Sequence, residues 1–148
     1  MDLTRLFNPA SIVVIGASQD ERTISGQPIK YLRKHAFQGK VYAVNPKYSE
    51  VGGYPCYADI ASLPEAPDLA MMAVAAARVP AMIEACGEKG IRFVILFTAG
   101  FAEIGGEGVR RQFRTRRVLR QVVPFQRPAR AKHTLFHEVA DLFVADVN

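Results

Sequence analysis

The sequence predicts an α/β protein with a Rossmann-like, doubly wound parallel sheet, and three observations support this class. Short apolar runs recur along the first 97 residues, which is typical of strands buried on both faces. Segments with apolar residues at helical spacing separate these runs. Glycine or proline follows most runs and marks a turn into the next element. Strand and helix signals that alternate in this way predict a parallel sheet covered by helices on both sides.

The first part of the pattern predicts two strands, one helix and a loop. Residues 11–15 form a β-branched run that stops at Gly16, and residues 40–44 form a second apolar run. Between these runs, residues 26–36 predict a helix because their apolar side chains have helical spacing, at Ile29, Leu32 and Ala36. Residues 47–57 are rich in Gly, Tyr and Pro, and we interpret them as a loop.

The second part continues the alternation. Asp59 is a helix-capping residue type and predicts a short helical turn that ends near Pro64. Residues 69–74 form a third apolar run, and residues 78–89 have the spacing of a helix that ends at Gly90.

The last elements of the pattern are a fourth strand over 93–97, a glycine-containing loop over 98–106 and a helix beginning near Glu107. A doubly wound sheet binds ligands beyond the carboxyl ends of its strands. The functional segments are therefore expected directly after each strand, at 16–26, 45–53, 75–80 and 98–106.

The segment Gly16, Ala17, Ser18 and Gln19 is the first candidate binding segment, and it suits a phosphate. A glycine at a strand end lets the chain turn tightly, and small residues let a phosphate approach main-chain N–H groups. Only the first glycine of a GxGxxG pattern can be placed here, so a plain strand-to-helix turn is the alternative.

The second strand is followed by Asn45, Pro46 and Lys47. An NAD-binding unit prefers an acid at this point, to accept hydrogen bonds from the ribose hydroxyls. A lysine instead suits a phosphate on the ribose, which favours coenzyme A or NADP over NAD. The alternative is that Lys47 is a solvated loop lysine.

The third strand is followed by Ala75, Ala76 and Ala77, whose small side chains are expected to let a flat adenine or a pantetheine arm lie against the backbone. The alternative for this segment is a helix entry with a proline in its first turn. The fourth strand is followed by Thr98, Ala99 and Gly100, where Thr98 is expected to donate to an oxygen and Gly100 to permit close approach.

Four segments in this order resemble a known family. They are residues 6–18 (LFNPASIVVIGAS), 44–47 (VNPK), 63–69 (LPEAPDL) and 98–103 (TAGFAE). Together they resemble the N-terminal CoA-binding domain of NDP-forming acyl-CoA synthetases, which are related to the succinyl-CoA synthetase α subunit. The resemblance covers about residues 1–111, and the ordered set is more specific than any one segment.

The resemblance implies a domain that binds CoA or acyl-CoA by its nucleotide end, with phosphates at Gly16–Gln19 and the nucleotide near Lys47. In the family, ligation also needs a phosphohistidine domain and an ATP-grasp domain. We therefore expect no catalytic residue and no competence as a ligase in this chain alone, with a separate ATP-grasp subunit or domain as partner. The alternatives are a stand-alone CoA-binding regulatory module and an NADP-binding Rossmann domain.

The remainder of the chain, residues 112–148, departs from the family pattern. Residues 1–109 carry 10 Lys and Arg against 11 Asp and Glu, whereas residues 110–148 carry 9 against 3. No glycine follows Gly108. One hypothesis is a frameshifted or truncated reading frame, and the parallel sheet is then expected to be incomplete at its C-terminal end. The rival is a basic tail for nucleic acid, which we do not favour because no recognised binding motif accompanies it.

The composition argues against several other classes. Cys56 and Cys86 have no partner at CxxC spacing, which indicates reduced thiols. His133 and His137 lack a third ligand, so no metal is predicted. No apolar run reaches the 18 or so residues of a membrane span, and the N-terminus lacks the pattern of a secretion signal. We expect a cytoplasmic protein.

Overall fold

The computed structural model describes residues 4–97, 121–124 and 142–146. The helices are α1 (Thr4–Phe7), α2 (Gln27–Lys34) and α3 (Val79–Lys89), and a 3-10 turn at Ala76–Arg78 leads into α3. The strands are β1 (Ser11–Ile15), β2 (Lys40–Val44), β3 (Glu50–Val51), β4 (Tyr54–Tyr57), β5 (Leu69–Met72), β6 (Phe93–Phe97), β7 (Gln121–Pro124) and β8 (Leu142–Asp146).

Within these residues, the strands form one sheet in the order β3-β4-β2-β1-β5-β6-β8-β7. Strands β4, β2, β1, β5 and β6 run parallel, and Ile15 at the end of β1 pairs with Val44 on one side and Met72 on the other. The chain moves outward from β1 to β2 and β4, and then returns to the other side of β1 with β5. The switch point of the sheet therefore lies between β1 and β5, and the predicted fold class is confirmed.

The two faces of the sheet are covered by different helices. Val13 and Ile15 pack with the buried side of α3, whereas Val14 packs on the other face with Ile29 of α2. Alternate residues of β1 point to opposite faces, so both faces of this strand are buried. This burial explains why β1 has a continuous apolar sequence rather than an alternating one.

The ends of the two long helices follow from local backbone conformation. α2 ends earlier than the predicted residue 36 because Ala36 adopts a left-handed conformation with φ 49°. α3 ends at Gly90, as predicted, where φ is 89° and the N–H of Ile91 donates to the carbonyl of Cys86.

The interpretation of residues 47–57 as a loop is wrong, because this segment contains the antiparallel hairpin β3–β4. Gly52 and Gly53 form its two-residue turn with φ values of 60° and 86°, a conformation that favours glycine. The adjacent glycines between Val51 and Tyr54 were the signal for this hairpin.

The predicted helical turn after Asp59 is also corrected. The Oδ1 atom of Asp59 accepts hydrogen bonds from the N–H and the hydroxyl of Ser62, at 2.8 Å and 2.7 Å. These bonds lower the pKa of the Asp59 carboxyl. They hold a turn, and no helix follows in this segment.

The parallel part of the sheet ends at β6. Strand β8 pairs with β6 in the antiparallel direction, and β7 pairs with β8 in the same way. The loop predicted at 98–106 and the helix expected near Glu107 lie outside the described residues. The boundary near residue 111 and the frameshift hypothesis stay predictions. None of the helices in the described ranges combines the length and apolar character that a membrane crossing requires.

Candidate functional site

Three of the four predicted segments lie side by side at the carboxyl edge of the sheet. The N–H of Gly16 donates to the carbonyl of Val44 at 2.8 Å, and the N–H of Ala73 donates to the carbonyl of Ile15 at 2.9 Å. The loops after β1, β2 and β5 therefore leave from adjacent strand ends. The fourth segment, at Thr98, Ala99 and Gly100, lies outside the described residues.

Gly16 is required by the protein's own packing, which differs from the reason the sequence suggested. Its φ is 81°, and a Cβ at this position would overlap the carbonyl oxygen of Ala73 and approach Val74 Cγ1 to 2.9 Å. The glycine therefore lets the chain after β1 pass close to the chain after β5, independently of any ligand.

The loop that begins at Gly16 is closed by its own hydrogen bonds. The N–H of Ser18 donates to the carbonyl of Ser25 at 3.2 Å, and the Ser18 hydroxyl accepts from the N–H of Asp20 at 3.1 Å. The Gln19 side chain donates to the carbonyl of Glu50 in β3 at 3.1 Å. The N–H groups of Ala17 and Gln19 have no acceptor among the described residues, but Ala17 is fully buried, so only the exposed Gln19 N–H is open to an anion.

Asn45 links the first loop to the second. Its Nδ2 donates to the carbonyl of Ala17 at 2.9 Å, and its Oδ1 accepts from the N–H of Lys47 at 2.9 Å. Its backbone N–H donates to the carbonyl of Tyr57 at 2.9 Å. Both ends of the Asn45 amide are thus committed within the protein, and the neighbouring Pro46 is exposed.

The charges at this edge divide into paired and unpaired groups. Arg22 pairs with Asp20 at 2.9 Å, and Arg33 pairs with Glu21 at 3.1 Å. The hydrogen bonds from Arg22 lower the pKa of the Asp20 carboxyl. In contrast, the exposed Lys47 forms no ion pair with any residue in the described ranges.

The third loop places small residues at the switch point, followed by a second cation that the sequence reasoning missed. Ala75 and Ala77 are exposed, whereas Ala76 is half-buried and packs against the core. Arg78 ends the 3-10 turn and is exposed, with no ion pair to a described residue. The sequence placed Arg78 in the functional segment 75–80 and at the start of the helix predicted over 78–89, without naming it as a binding residue.

The two cysteines are free thiols that burial makes poor nucleophiles. Cys56 on β4 is half-buried and donates to the carbonyl of Asn45 at 3.5 Å, and burial raises its pKa. Cys86 in α3 is fully buried, which raises its pKa to about 12. In the part of the chain that the structure describes, no group of three or more His, Cys, Asp or Glu side chains is placed to hold a metal ion.

A cleft of about 520 Å³ lies at the opposite, amino edge of the sheet. Its charged groups pair with one another: Arg5 with Asp68 at 3.6 Å, and Lys40 with Glu65 at 2.9 Å. The Glu65 carboxylate also accepts from the Tyr42 hydroxyl at 2.9 Å. The cleft is lined by Arg5, Asn8, Ala10, Ser11, Lys40, Glu65, Ala66 and Asp68.

Comparisons with known proteins agree on one family. The family model described as "CoA binding domain" matches residues 10–135. Acetate–CoA ligase [ADP-forming] I of Archaeoglobus fulgidus is 44% identical over 108 residues, which cover 73% of this chain and 16% of that protein. The α subunit of acetate–CoA ligase [ADP-forming] I from Pyrococcus furiosus is 38% identical over 112 residues, covering 73% of this chain and 24% of the subunit.

A solved structure gives the same result for the fold. The apo form of the dinucleotide forming acetyl-coenzyme A synthetase 1 of Ca. Korarchaeum cryptofilum superposes with a TM-score of 0.69 and 39% identity. The match covers 75% of this chain and 24% of that chain. This chain therefore spans between 16% and 24% of the length of these relatives.

Proposed function

This chain belongs to the family of CoA-binding domains and matches the N-terminal segment of ADP-forming acetyl-CoA synthetases; on that basis we propose that its carboxyl edge binds CoA or acyl-CoA by the nucleotide end. The proposed contacts are Gly16, Ala17, Ser18 and Gln19 for the phosphates, Lys47 for the ribose phosphate, and Ala75, Ala76, Ala77, Thr98, Ala99 and Gly100 for the walls of the groove.

The observation that best supports the proposal is the unpaired cation Lys47 in the loop after β2. Lys47 lies in the segment after β2, where an NAD-binding unit would have an acid and this chain has none. Its ammonium group has no ion pair among the described residues and is exposed. A phosphate on the ribose supplies the opposite charge that this position needs, and CoA carries one.

The residues of the other two loops suit the remaining parts of the same ligand. In the first loop, the exposed N–H of Gln19 has no acceptor among the described residues and is the donor that this loop offers to a phosphate. We add Arg78 to the site, because it is the exposed cation on the far side of the switch point. Together these groups offer two separated positive regions, which suits the ribose phosphate and the pyrophosphate of CoA.

We further propose that this chain supplies the CoA-binding part of an acyl-CoA ligase and does not catalyse ligation alone. Phosphoryl transfer requires groups that position a nucleotide triphosphate and neutralise its developing charge. In this proposal those groups belong to a separate ATP-grasp subunit or domain, as the existence of an α subunit among the relatives suggests. A stand-alone CoA-binding regulatory module is the second candidate.

Calorimetric titration with CoA, dephospho-CoA, NAD and NADP tests the ligand. We expect CoA to bind most tightly, and dephospho-CoA to bind more weakly because it lacks the ribose phosphate. Equal or tighter binding of NAD contradicts the proposal, and preferential binding of NADP indicates the alternative Rossmann function. Enzymatic ligation by the purified chain with ATP, acetate and CoA would contradict the expectation that it needs a partner.

Two lysine variants locate the binding edge. Lys47→Ala is expected to weaken CoA by about 1–2 kcal/mol and to leave dephospho-CoA nearly unchanged, because only CoA presents the ribose phosphate. Lys40→Ala removes the same charge at the amino edge, where Lys40 pairs with Glu65, and is expected to leave CoA binding unchanged. Equal losses for both ligands in Lys47→Ala would place Lys47 elsewhere in the site.

A further inference from the structure

We propose that Asn45 is a positioning residue: its side-chain amide fixes the backbone of Lys47 relative to the first loop, and through Lys47 it sets the preference for a phosphorylated ribose. This inference rests on the proposed function. It also changes the role of Asn45 from a ligand contact, as predicted, to a support for one.

The hydrogen bonds of the Asn45 amide determine its orientation. The Ala17 carbonyl can only accept, and the Lys47 N–H can only donate. The amide therefore has to present its NH₂ group to Ala17 and its oxygen to Lys47, and the flipped rotamer would lose both bonds. Neither end of the amide is left to bind a ligand in the same way.

The two bonds act over different ranges along the chain. The bond to the Lys47 N–H spans two residues and shapes the turn that follows β2, as Asn and Asp side chains often do. The bond to the Ala17 carbonyl spans 28 residues and joins this turn to the loop after β1. Asn45 is half-buried, and its backbone N–H is fixed to Tyr57 of β4, so the amide has little freedom.

An acid at this position would not support the same arrangement. An aspartate would keep the turn with Lys47, but it has no donor for the Ala17 carbonyl and would bring two oxygen acceptors together. The position that holds the ribose-binding acid in NAD-binding units thus serves here to connect two loops. Selectivity for a phosphorylated ribose then has two sources. One is the absence of an acid after β2, and the other is the fixed backbone position of Lys47.

Two neutral substitutions separate the two bonds without adding charge near the ligand phosphates. Asn45→Ser keeps an acceptor for the Lys47 N–H but is too short to reach Ala17, whereas Asn45→Ala removes both bonds. Asn8→Ala, at the amino-edge cleft, is the matched control. The quantity measured is the ratio of two dissociation constants, that of dephospho-CoA divided by that of CoA. It is measured in each single variant and in the double variants that also carry Lys47→Ala.

We expect Lys47→Ala to lower this ratio by about tenfold. Asn45→Ser should lower it by about threefold and Asn45→Ala by more, with no further fall in the Lys47→Ala background, because the Asn45 effect acts through Lys47. Asn8→Ala should leave the ratio unchanged.

A merely structural role for Asn45 makes a different prediction. The midpoint of thermal unfolding would then fall and both ligands would weaken equally, so an unchanged ratio in Asn45→Ser and Asn45→Ala overturns the inference. Additive losses in the double variants overturn it too. If Asn45→Ala does not fold, Asn45→Ser alone decides. A wild-type protein that binds neither ligand, or both equally, overturns the proposed function itself.

Discussion

The two edges of the sheet both carry arginine, lysine and acidic side chains, but they use these charges differently. At the amino edge, Arg5 pairs with Asp68, and Lys40 and Tyr42 share the Glu65 carboxylate. At the carboxyl edge, the exposed Lys47 and Arg78 have no ion pair among the described residues.

This difference separates charged side chains that stabilise the fold from those that are available to bind a ligand. The Asp68 carboxylate also accepts from the N–H of Ala10 at 2.9 Å, so the charged groups of the amino-edge cleft already have partners within the protein. A cleft whose charges neutralise each other offers little to an ionic ligand, whatever its volume. The carboxyl edge leaves positive charge for an anion, and so it is the better candidate site.

The largest expected effect concerns the backbone of the carboxyl edge. Gly16→Ala should destabilise the protein by about 3 kcal/mol, because a left-handed residue gains a Cβ that overlaps the Ala73 carbonyl. Urea denaturation measures this loss. CoA binding should fall with it, since the turn between β1 and α2 would be displaced.

Gly53→Ala is the matched control for Gly16→Ala. Gly53 also has a positive φ, of 86°, but a Cβ added there would meet no atom within 4 Å, so only backbone strain is added. A loss of about 1 kcal/mol is expected. Equal losses of stability in the two variants would mean that the overlap with Ala73 adds nothing to the cost of backbone strain at Gly16.

A smaller effect is expected from the cations, where the two edges can be compared directly. Arg78→Ala should weaken CoA and dephospho-CoA alike by about 1–2 kcal/mol, because both ligands keep the pyrophosphate. Arg5→Ala removes the same side chain at the amino edge and should leave binding unchanged. Its stability should change by less than about 0.5 kcal/mol, since the Arg5 side chain is largely exposed and its pair with Asp68 is long, at 3.6 Å. Equal effects of the two variants on binding, measured by calorimetry, would contradict the division between the edges.

Most of the fold was predictable because its signals are local. The strands at Ser11–Ile15, Lys40–Val44 and Phe93–Phe97 are continuous apolar runs, and Gly90 ends α3 at the predicted residue. The hairpin β3–β4 was missed because a loop was inferred from the overall Gly, Tyr and Pro content of the segment. The pair Gly52-Gly53, a two-residue turn, was the more informative detail.

The candidate site was predictable only in outline. Strand ends in a doubly wound sheet indicate which segments meet, and three of them do meet at the carboxyl edge. The role of the Asn45 amide depends on the register of β1 against β2, which places Ala17 within hydrogen-bond distance. The pairing register of two strands cannot be predicted from a local sequence pattern. The overlap of Gly16 with Ala73 depends in the same way on the pairing of β1 with β5.

The smallest expected effect is the pH dependence of the amino edge. The Lys40 ammonium, and then the Tyr42 hydroxyl, lower the pKa of the Glu65 carboxyl from its usual 4.5. A carboxyl whose pKa is lowered by folding stabilises the protein above its unfolded pKa, and this contribution is lost as pH falls through the lowered value. Glu65→Gln keeps an acceptor for Tyr42 but removes the charge, so the variant lacks this contribution at every pH.

The midpoint of thermal unfolding of the wild type should therefore exceed that of Glu65→Gln by a small margin at pH 7. The margin should shrink as pH falls below about 4.5, and added salt should reduce it, because the pair with Lys40 is exposed. Glu50→Gln is the control, since Glu50 has no ion pair among the described residues. A margin that stays constant from pH 7 to pH 3 would mean that the Glu65 charge contributes nothing. The ion pair between Lys40 and Glu65 would then not stabilise the amino edge, and only its hydrogen bonds would do so. The contrast between paired charges at the amino edge and unpaired charges at the carboxyl edge would then be weaker.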